Sequence, residues 1–267
     1  MCTENSTDVI PKIIHYTWFS GDSFPTEIQN CLDSWKKHLP DYEMKLWDME
    51  AIKDIDSIFL KEALSEKKWA YAADYVRLYA IYHEGGIYLD TDVYVYQSFN
   101  LLLQHEAFIG KENSIHFEGG FSSQYLTSHC FGAIKHHPFI KSCLNYFDNR
   151  HFITSAHSDL PHPLKYNLVL LPYIQAEIAR LYGYDWKPKK QSLQYCDSKL
   201  VVYPSMAFDP VNVSKFDSYC KHLAVGGWRV DKPCEPTYTL KYKIEWRVIR
   251  IFRKMLEKLG YAILKIQ

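Results

Sequence analysis

The apolar positions of this chain change period repeatedly over its first hundred residues, and each change predicts an element. Ile10 to Thr17 carries the strand-like run Ile13-Ile14-His15-Tyr16, a helix is predicted around Glu27 to His38, and Tyr42 to Trp47 reads as a second strand. Lys61 to Glu84, rich in Ala, Leu, Lys and Glu, predicts one long helix stopped by Gly85-Gly86. A short apolar strand ending at Asp90 follows, then another run from Val93 to Tyr96. Alternating strands and helices predict an open, largely parallel α/β sheet with ligands beyond the carboxyl ends of its strands. Further on, Phe108 to Gly120 and Cys130 to Leu144 are the legible regions, and the polar, Pro-punctuated stretch from His151 to His162 predicts a surface loop.

The chemistry gathers at Gly85-Gly86-Ile87-Tyr88-Leu89-Asp90-Thr91-Asp92-Val93. Residues two apart on a strand point to one side, so Asp90 and Asp92 are expected to converge on a hard cation, Mn²⁺ or Mg²⁺, shared with a diphosphate. Asp74 and Arg77 lie three apart on the predicted helix and share a face. Either they form an ordinary surface pair, or Arg77 turns its planar fork to the same phosphates while Asp74 bonds a sugar hydroxyl. Neither a GxGxxG fingerprint nor a P-loop is present, which argues against dinucleotide enzymes and P-loop kinases.

Asp74-x-x-Arg77 followed by Gly85-Gly86-Ile87-Tyr88-Leu89-Asp90-Thr91-Asp92 resembles the signature of the DXD-containing sugar transferases of glycosyltransferase family 32. The bacterial capsule-type members, the yeast initiating mannosyltransferase and the catalytic domains of the clostridial glucosylating toxins share this likeness. Three further blocks agree: Ile10 to Gly21, Cys31 to Trp47, and His222-Leu223-Ala224-Val225-Gly226-Gly227-Trp228, with Gly227 where the family usually has Ser. Cys130 to Phe139 is similar to the family's strand and following loop. The resemblance implies a GT-A-type, Rossmann-like open mixed sheet flanked by helices. It implies that Trp18 stacks on the nucleotide base, that Asp74 and Arg77 contact donor sugar and phosphate, and that Tyr88 sits beside the nucleotide. Asp92 would ligate the metal, Asp90 would do so directly or through water, and His222 and Trp228 would close over the diphosphate. Each has a plainer reading too: Trp18 and Tyr88 as core or strand residues, His222 as a structural imidazole, Trp228 as a turn anchor.

Composition narrows the rest. A chain of 267 residues, 47% hydrophobic and 16% aromatic, buries a substantial core. Its 21 Tyr and 7 Trp fit either a carbohydrate-handling cleft or an aromatic-rich interior. The formal net charge is zero, but Thr237 to Gln267 holds eight basic and two acidic residues. There Ile244, Val248, Ile251, Met255 and Leu259 form one helical stripe flanked by Lys and Arg. Such a tail either lies on an anionic bilayer surface or packs on the domain. The expected organisation is a catalytic domain over residues 1–236 and a basic amphipathic helix over 237–267. No apolar run reaches 18 residues, and Met1 to Asp8 lacks an apolar signal core, so a cytoplasmic address, peripheral to the inner membrane face, is expected. Seven scattered Cys without a Cys-x-x-Cys predict neither a disulfide scaffold nor a zinc site. In the predicted loop, His157, Asp159 and His162 either contact an acceptor or face water.

Together these readings predict a metal-dependent transfer of a hexose from a UDP- or GDP-sugar to a glycan or lipid-linked saccharide, and the resemblance implies retention of anomeric configuration and a role in surface polysaccharide (capsule-type) synthesis. The partners are then a nucleotide-sugar donor and a saccharide acceptor, with no nucleic acid. The competing readings are a metal-dependent phosphohydrolase or nucleotidyltransferase and a sugar-nucleotide-binding module without turnover.

Overall fold

Strand β1 (Ile13–Thr17) lies between β2 (Glu43–Trp47) and β3 (Gly86–Leu89) and runs parallel to both, with Ile14 opposite Met44 on one side and Ile87 on the other. These belong to a computed structural model that describes residues 9–118, 121–155, 165–185, 189–195, 197–214 and 216–225. Helix α1 (Thr26–His38) carries the crossover from β1 to β2, burying Ile28, Cys31, Leu32 and Trp35 at helical spacing. Helices α2 (Ile58–Ser65) and α3 (Trp69–Glu84) carry the crossover to β3.

The expected single helix over Lys61 to Glu84 is thus two. Ser57 caps α2 by accepting the Leu60 N–H at 3.3 Å, and Lys67 takes a left-handed φ of 53° between the helices. Residues 65–68, Ser-Glu-Lys-Lys, offer no apolar position to bury, so a continuous helix there would gain nothing from packing. The Gly85-Gly86 stop holds as read. Both have positive φ, and a Cβ on Gly86 would fall 2.8 Å from the Ile13 carbonyl oxygen. His15 reinforces this junction: its Nδ1 accepts the Trp47 indole N–H at 3.0 Å, leaving Nε2 to donate to the Gly85 carbonyl at 2.8 Å.

Beyond β3 the sheet is mixed, as the family resemblance implies, and not largely parallel as the strand and helix alternation alone suggests. After β4 (Val93–Val95) come β5 (Ala107–Glu118) and β6 (Phe121–Ala133), then α4 (Pro138–Asn145), α5 (Leu171–Arg180), β7 (Gln191–Tyr195) and β8 (Ser198–Tyr203). Among the described residues the order is β2-β1-β3-β6-β5-β8-β7; β6 pairs antiparallel with β3, β8 runs parallel to β5, and β7 pairs antiparallel with β8. A second, two-stranded sheet joins β4 antiparallel to β9 (Cys220–His222). Sheet order therefore sends the chain's later strands back beside β3 by reversal, which crossover counting along the sequence does not anticipate.

Apolar residues fill both faces of the large sheet. Ile87 and Leu89 pack with Ile14, Trp35 and Phe108, while Tyr88, between them, packs with α3 residues such as Val76 and with Phe131. Period-two alternation thus points Tyr88, and Asp90 after it, toward the α3 layer. These elements lie in the unit Met1–Ile115 with Gln124–Val225, apart from the strand tips that belong to a second unit, His116–Ser123 with Gly226–Gln267. The predicted basic helix over 237–267, Trp228, and His157, Asp159 and His162 lie outside the described residues. No helix among the described residues is long and apolar enough to cross a membrane.

Candidate active site

Arg77 is the centre of the first half of the site. Helix α3 is buried along most of its length, so Arg77 is only 4% exposed and must satisfy its five N–H groups inside the protein. Nε donates to the Ala73 carbonyl at 3.1 Å, and Nη1 to the Ser128 carbonyl at 2.7 Å and to Asp90 Oδ2 at 3.4 Å. Nη2 lies 3.2 Å from Asp74 Oδ1 and 3.3 Å from Asp90 Oδ1. The guanidinium also sits over the Tyr88 ring, 4.6 Å from its centroid. Burial opposes its charge, but Asp90, Tyr88 and Asp74 outweigh it and hold the pKa above the usual arginine value.

Asp74 is likewise buried; its Oδ2 accepts the Leu171 N–H at 3.4 Å. Burial pushes this carboxyl up to about 6 against the pull of Arg77. Tyr88 donates its hydroxyl hydrogen to Asp90 Oδ1 at 3.0 Å and faces the Thr17 hydroxyl at 3.1 Å. Asp74, Arg77 and Tyr88 therefore form a buried frame around Asp90. Arg77 contacts both Asp90 oxygens directly, at 3.4 and 3.3 Å.

The second half is built from β9. Strand β3 ends at Leu89, and Asp90 to Asp92 form a turn closed by Val93 N–H to the Asp90 carbonyl at 3.0 Å. The two carboxylates thus converge through a turn, whereas the sequence reading expected strand alternation. Pairing of β4 with β9 sets Val93 opposite His222, bringing His222 Nε2 within 3.0 Å of Asp92 Oδ1. The Val225 N–H donates to Asp92 Oδ2 at 3.0 Å, and the Leu223 N–H to the Asp92 carbonyl at 3.0 Å. Burial acts to raise the Asp92 pKa, but His222 and the Val225 N–H outweigh it and hold the carboxyl below its ordinary range. For His222 burial acts to lower the pKa, and Asp92 outweighs it, so the imidazole is raised above 6.5.

His129, which sequence reasoning missed, touches both halves. Its carbonyl accepts the Asp90 N–H at 3.0 Å, and its ring stacks on His222 at 4.7 Å and 13°. Nε2 meets the Phe208 carbonyl at 3.2 Å. Burial, with His222 adding to it, pushes this imidazole down to about 3. Its nearest sequence signal was adjacency to the Cys130 block. Ser128, Leu223 and Val225 act through backbone atoms and gave none.

Asp90, Asp92 and His222 each present one ligand atom, and these lie within 4.8 Å of one another. Two carboxylates and an imidazole, partly open to solvent, suit a divalent cation such as Mn²⁺ that keeps further positions for phosphate oxygens or water. Trp18 follows β1, partly exposed; its indole N–H donates to the Asp22 carbonyl at 2.8 Å and its ring lies 4.9 Å from Phe24.

The comparisons with known proteins bear on this arrangement of a buried Arg–Asp frame behind an acidic doublet at a strand end. Residues 25–109 match the family described as "Glycosyltransferase sugar-binding region containing DXD motif". The chain is 31% identical over 143 residues to the Schizosaccharomyces pombe protein named "Inositol phosphoceramide mannosyltransferase 3", covering 51% of this chain and 36% of that one. It is 31% identical over 155 residues to the Saccharomyces cerevisiae "Mannosyl phosphorylinositol ceramide synthase SUR1", covering 54% and 37%. The chain thus spans little more than a third of these relatives' length. Among solved structures, "PaToxG Glycosyltransferase" superposes over 65% of this chain and 70% of its own, with 18% identity and a TM-score of 0.43.

Proposed function

We propose that the protein transfers a hexose from a UDP- or GDP-sugar to a hydroxyl of a glycan or lipid-linked saccharide, with Mn²⁺ or Mg²⁺ bound at Asp90, Asp92 and His222. The observation that carries this reading is the convergence of those three side chains at the carboxyl end of β3. The bound ion supplies positive charge to the departing diphosphate, whose developing negative charge the catalyst must stabilise.

The chain's own residues set the stage for that step. Arg77 and Tyr88 orient the Asp90 carboxylate, while β9 orients Asp92 through His222 and Val225. Trp18 offers a ring face to the donor base, as the family resemblance implies, and Asp74 acts on the site through Arg77. Retention of anomeric configuration follows the family resemblance. Names of the relatives favour a mannosyl donor and a lipid-linked acceptor as the first pair to assay. The wider proposal is a role in surface polysaccharide or glycolipid assembly at the cytoplasmic face of a membrane, with the basic segment 237–267 as the anchor.

Purified protein incubated with UDP- and GDP-hexoses and Mn²⁺ tests the reading. Donor hydrolysis or transfer that stops on chelation supports it; attack on plain nucleotides points to a phosphohydrolase, and binding without turnover to a binding module. Truncation after Pro236 is expected to release the protein from membrane fractions.

A further inference from the structure

Two imidazoles lie face to face beside the acidic doublet, and the metal reading uses only one of them. His222 belongs to β9, a three-residue strand at the end of the described chain, and a side chain on so short a strand needs an outside support to hold its plane. His129 supplies one. It is 4% exposed on the long strand β6, whose next residue, Cys130, pairs with Leu89 of β3. Its ring is held at its edge, where Nε2 meets the Phe208 carbonyl at 3.2 Å, and one face carries His222 at 4.7 Å with only 13° between the planes.

The same residue reaches the other carboxylate through its main chain, taking the Asp90 N–H at 3.0 Å. Residue 129 therefore supports both the Asp90 side and the His222 side of the cluster. Cys220, two residues before His222, adds to the attachment through its thiol contacts with Cys130 and, at 3.7 Å, the Phe208 carbonyl. The anchor belongs to the seven-stranded sheet.

We infer that His129 is a positioning residue for the metal centre, its flat ring serving as the platform that keeps the His222 imidazole turned toward Asp92 and the ion. This rests on the metal reading above. The main-chain bond to Asp90 survives any substitution, so side-chain variants isolate the platform. A ring matters to a platform, and a hydrogen-bonding nitrogen matters less. Outer supports of metal ligands typically change affinity by about 10- to 100-fold when removed.

The test compares His129→Leu, which removes the flat face, with His129→Phe, which keeps it and gives up the Phe208 contact. Mn²⁺ binding is followed by electron paramagnetic resonance of the free ion, and thermal unfolding is recorded without metal. His129→Leu is expected to weaken binding about 10- to 100-fold while His129→Phe stays within about threefold of the parent. Equal weakening in both, or parent-like binding in His129→Leu, overturns the inference, because packing or nothing would then explain the result. A metal-independent readout accompanies these: the His222 Cε1–H resonance of the metal-free protein, displaced upfield by the stacked ring, moves downfield in His129→Leu. An unmoved resonance also overturns the platform. If the parent binds no Mn²⁺, the metal reading fails by itself, and the resonance still decides whether the two rings stack, without which there is no platform.

Discussion

Asp90 and Asp92 are two residues apart and are held in opposite ways. Asp90 sits in a frame made from the chain just before it, with Tyr88 two residues away and Arg77 thirteen, and that frame is buried behind the strand. Asp92 is gripped by a segment arriving from far along the chain, the Val225 N–H being 133 residues away. One carboxylate is thus built in by local sequence and core burial, the other by a late closure of β9 on β4. A site divided this way has a fixed wall and a fastened wall. Segments secured by few contacts open at lower free energy than core elements, so ligand binding is expected to tighten the Asp92 side more than the Asp90 side.

The largest effect expected is at the fastened wall. Asp92→Asn removes a metal ligand and the counter-charge of His222, and it is expected to lower Mn²⁺-dependent donor turnover by at least about 100-fold, beyond the loss typical of outer supports. The fold should persist, since Asp92 lies at a partly exposed turn. Parent-like turnover in this variant would remove Asp92 from the metal centre and dissolve the contrast between the two carboxylates.

At the fixed wall the cost should appear in stability. Arg77→Ala leaves Asp74 and Asp90 without their shared cation in a buried setting, a loss of about 3 to 5 kcal/mol in denaturant unfolding. Arg77→Lys keeps the charge and loses the fork, so an intermediate loss with reduced turnover is expected. A stability change near zero for Arg77→Ala would show that the frame is not what holds this half together.

A pH series separates the two walls without mutation. His222 is raised above 6.5 by Asp92, so its charged pairing contributes stability that is fully present below 6.5 and fades as pH rises through the raised value. Asp92 is lowered, so its share is present above 3.8 and fades as pH falls through the lowered value. Between these limits the metal-free protein gains most from the pair. Metal ligation needs the neutral imidazole, so Mn²⁺ affinity is expected to climb as pH rises through the same raised value. Stability falling while affinity rises, compared by unfolding and calorimetry at pH 6 and pH 8.5, is the expected signature. His222→Gln should flatten both trends.

The contrast also explains what could be read from the sequence. The strands and first helix up to β3 and the Gly85-Gly86 stop were legible because short-range periodicity encodes them, whereas spacing alone left Asp74 and Arg77 as either a surface pair or part of the site, and the family resemblance grouped them with Asp90. The break at residues 65–68 was not, since the composition of that stretch suits a helix while tertiary burial does not reward one. Reversal of β6 beside β3 depends on pairings across more than forty residues. His222 was found through resemblance of the closing block and not by periodicity, and His129 had no local mark, because its role is set by what lies against its ring.

The smallest expected effect probes the link between core and carboxylate. Tyr88→Phe deletes one hydroxyl that donates to Asp90 and meets Thr17, leaving the ring beneath Arg77 in place. A hydrogen bond to a charged acceptor contributes about 1.5 to 3 kcal/mol, but Arg77 still pairs with Asp90, so a stability loss near the lower figure is expected. Mn²⁺ affinity should fall by a few-fold, about the same order as that loss partly expressed at the ligand. If Tyr88→Phe weakens metal binding as much as Asp92→Asn does, the fixed wall is the more sensitive of the two, and the division between frame and fastening has been drawn at the wrong residue.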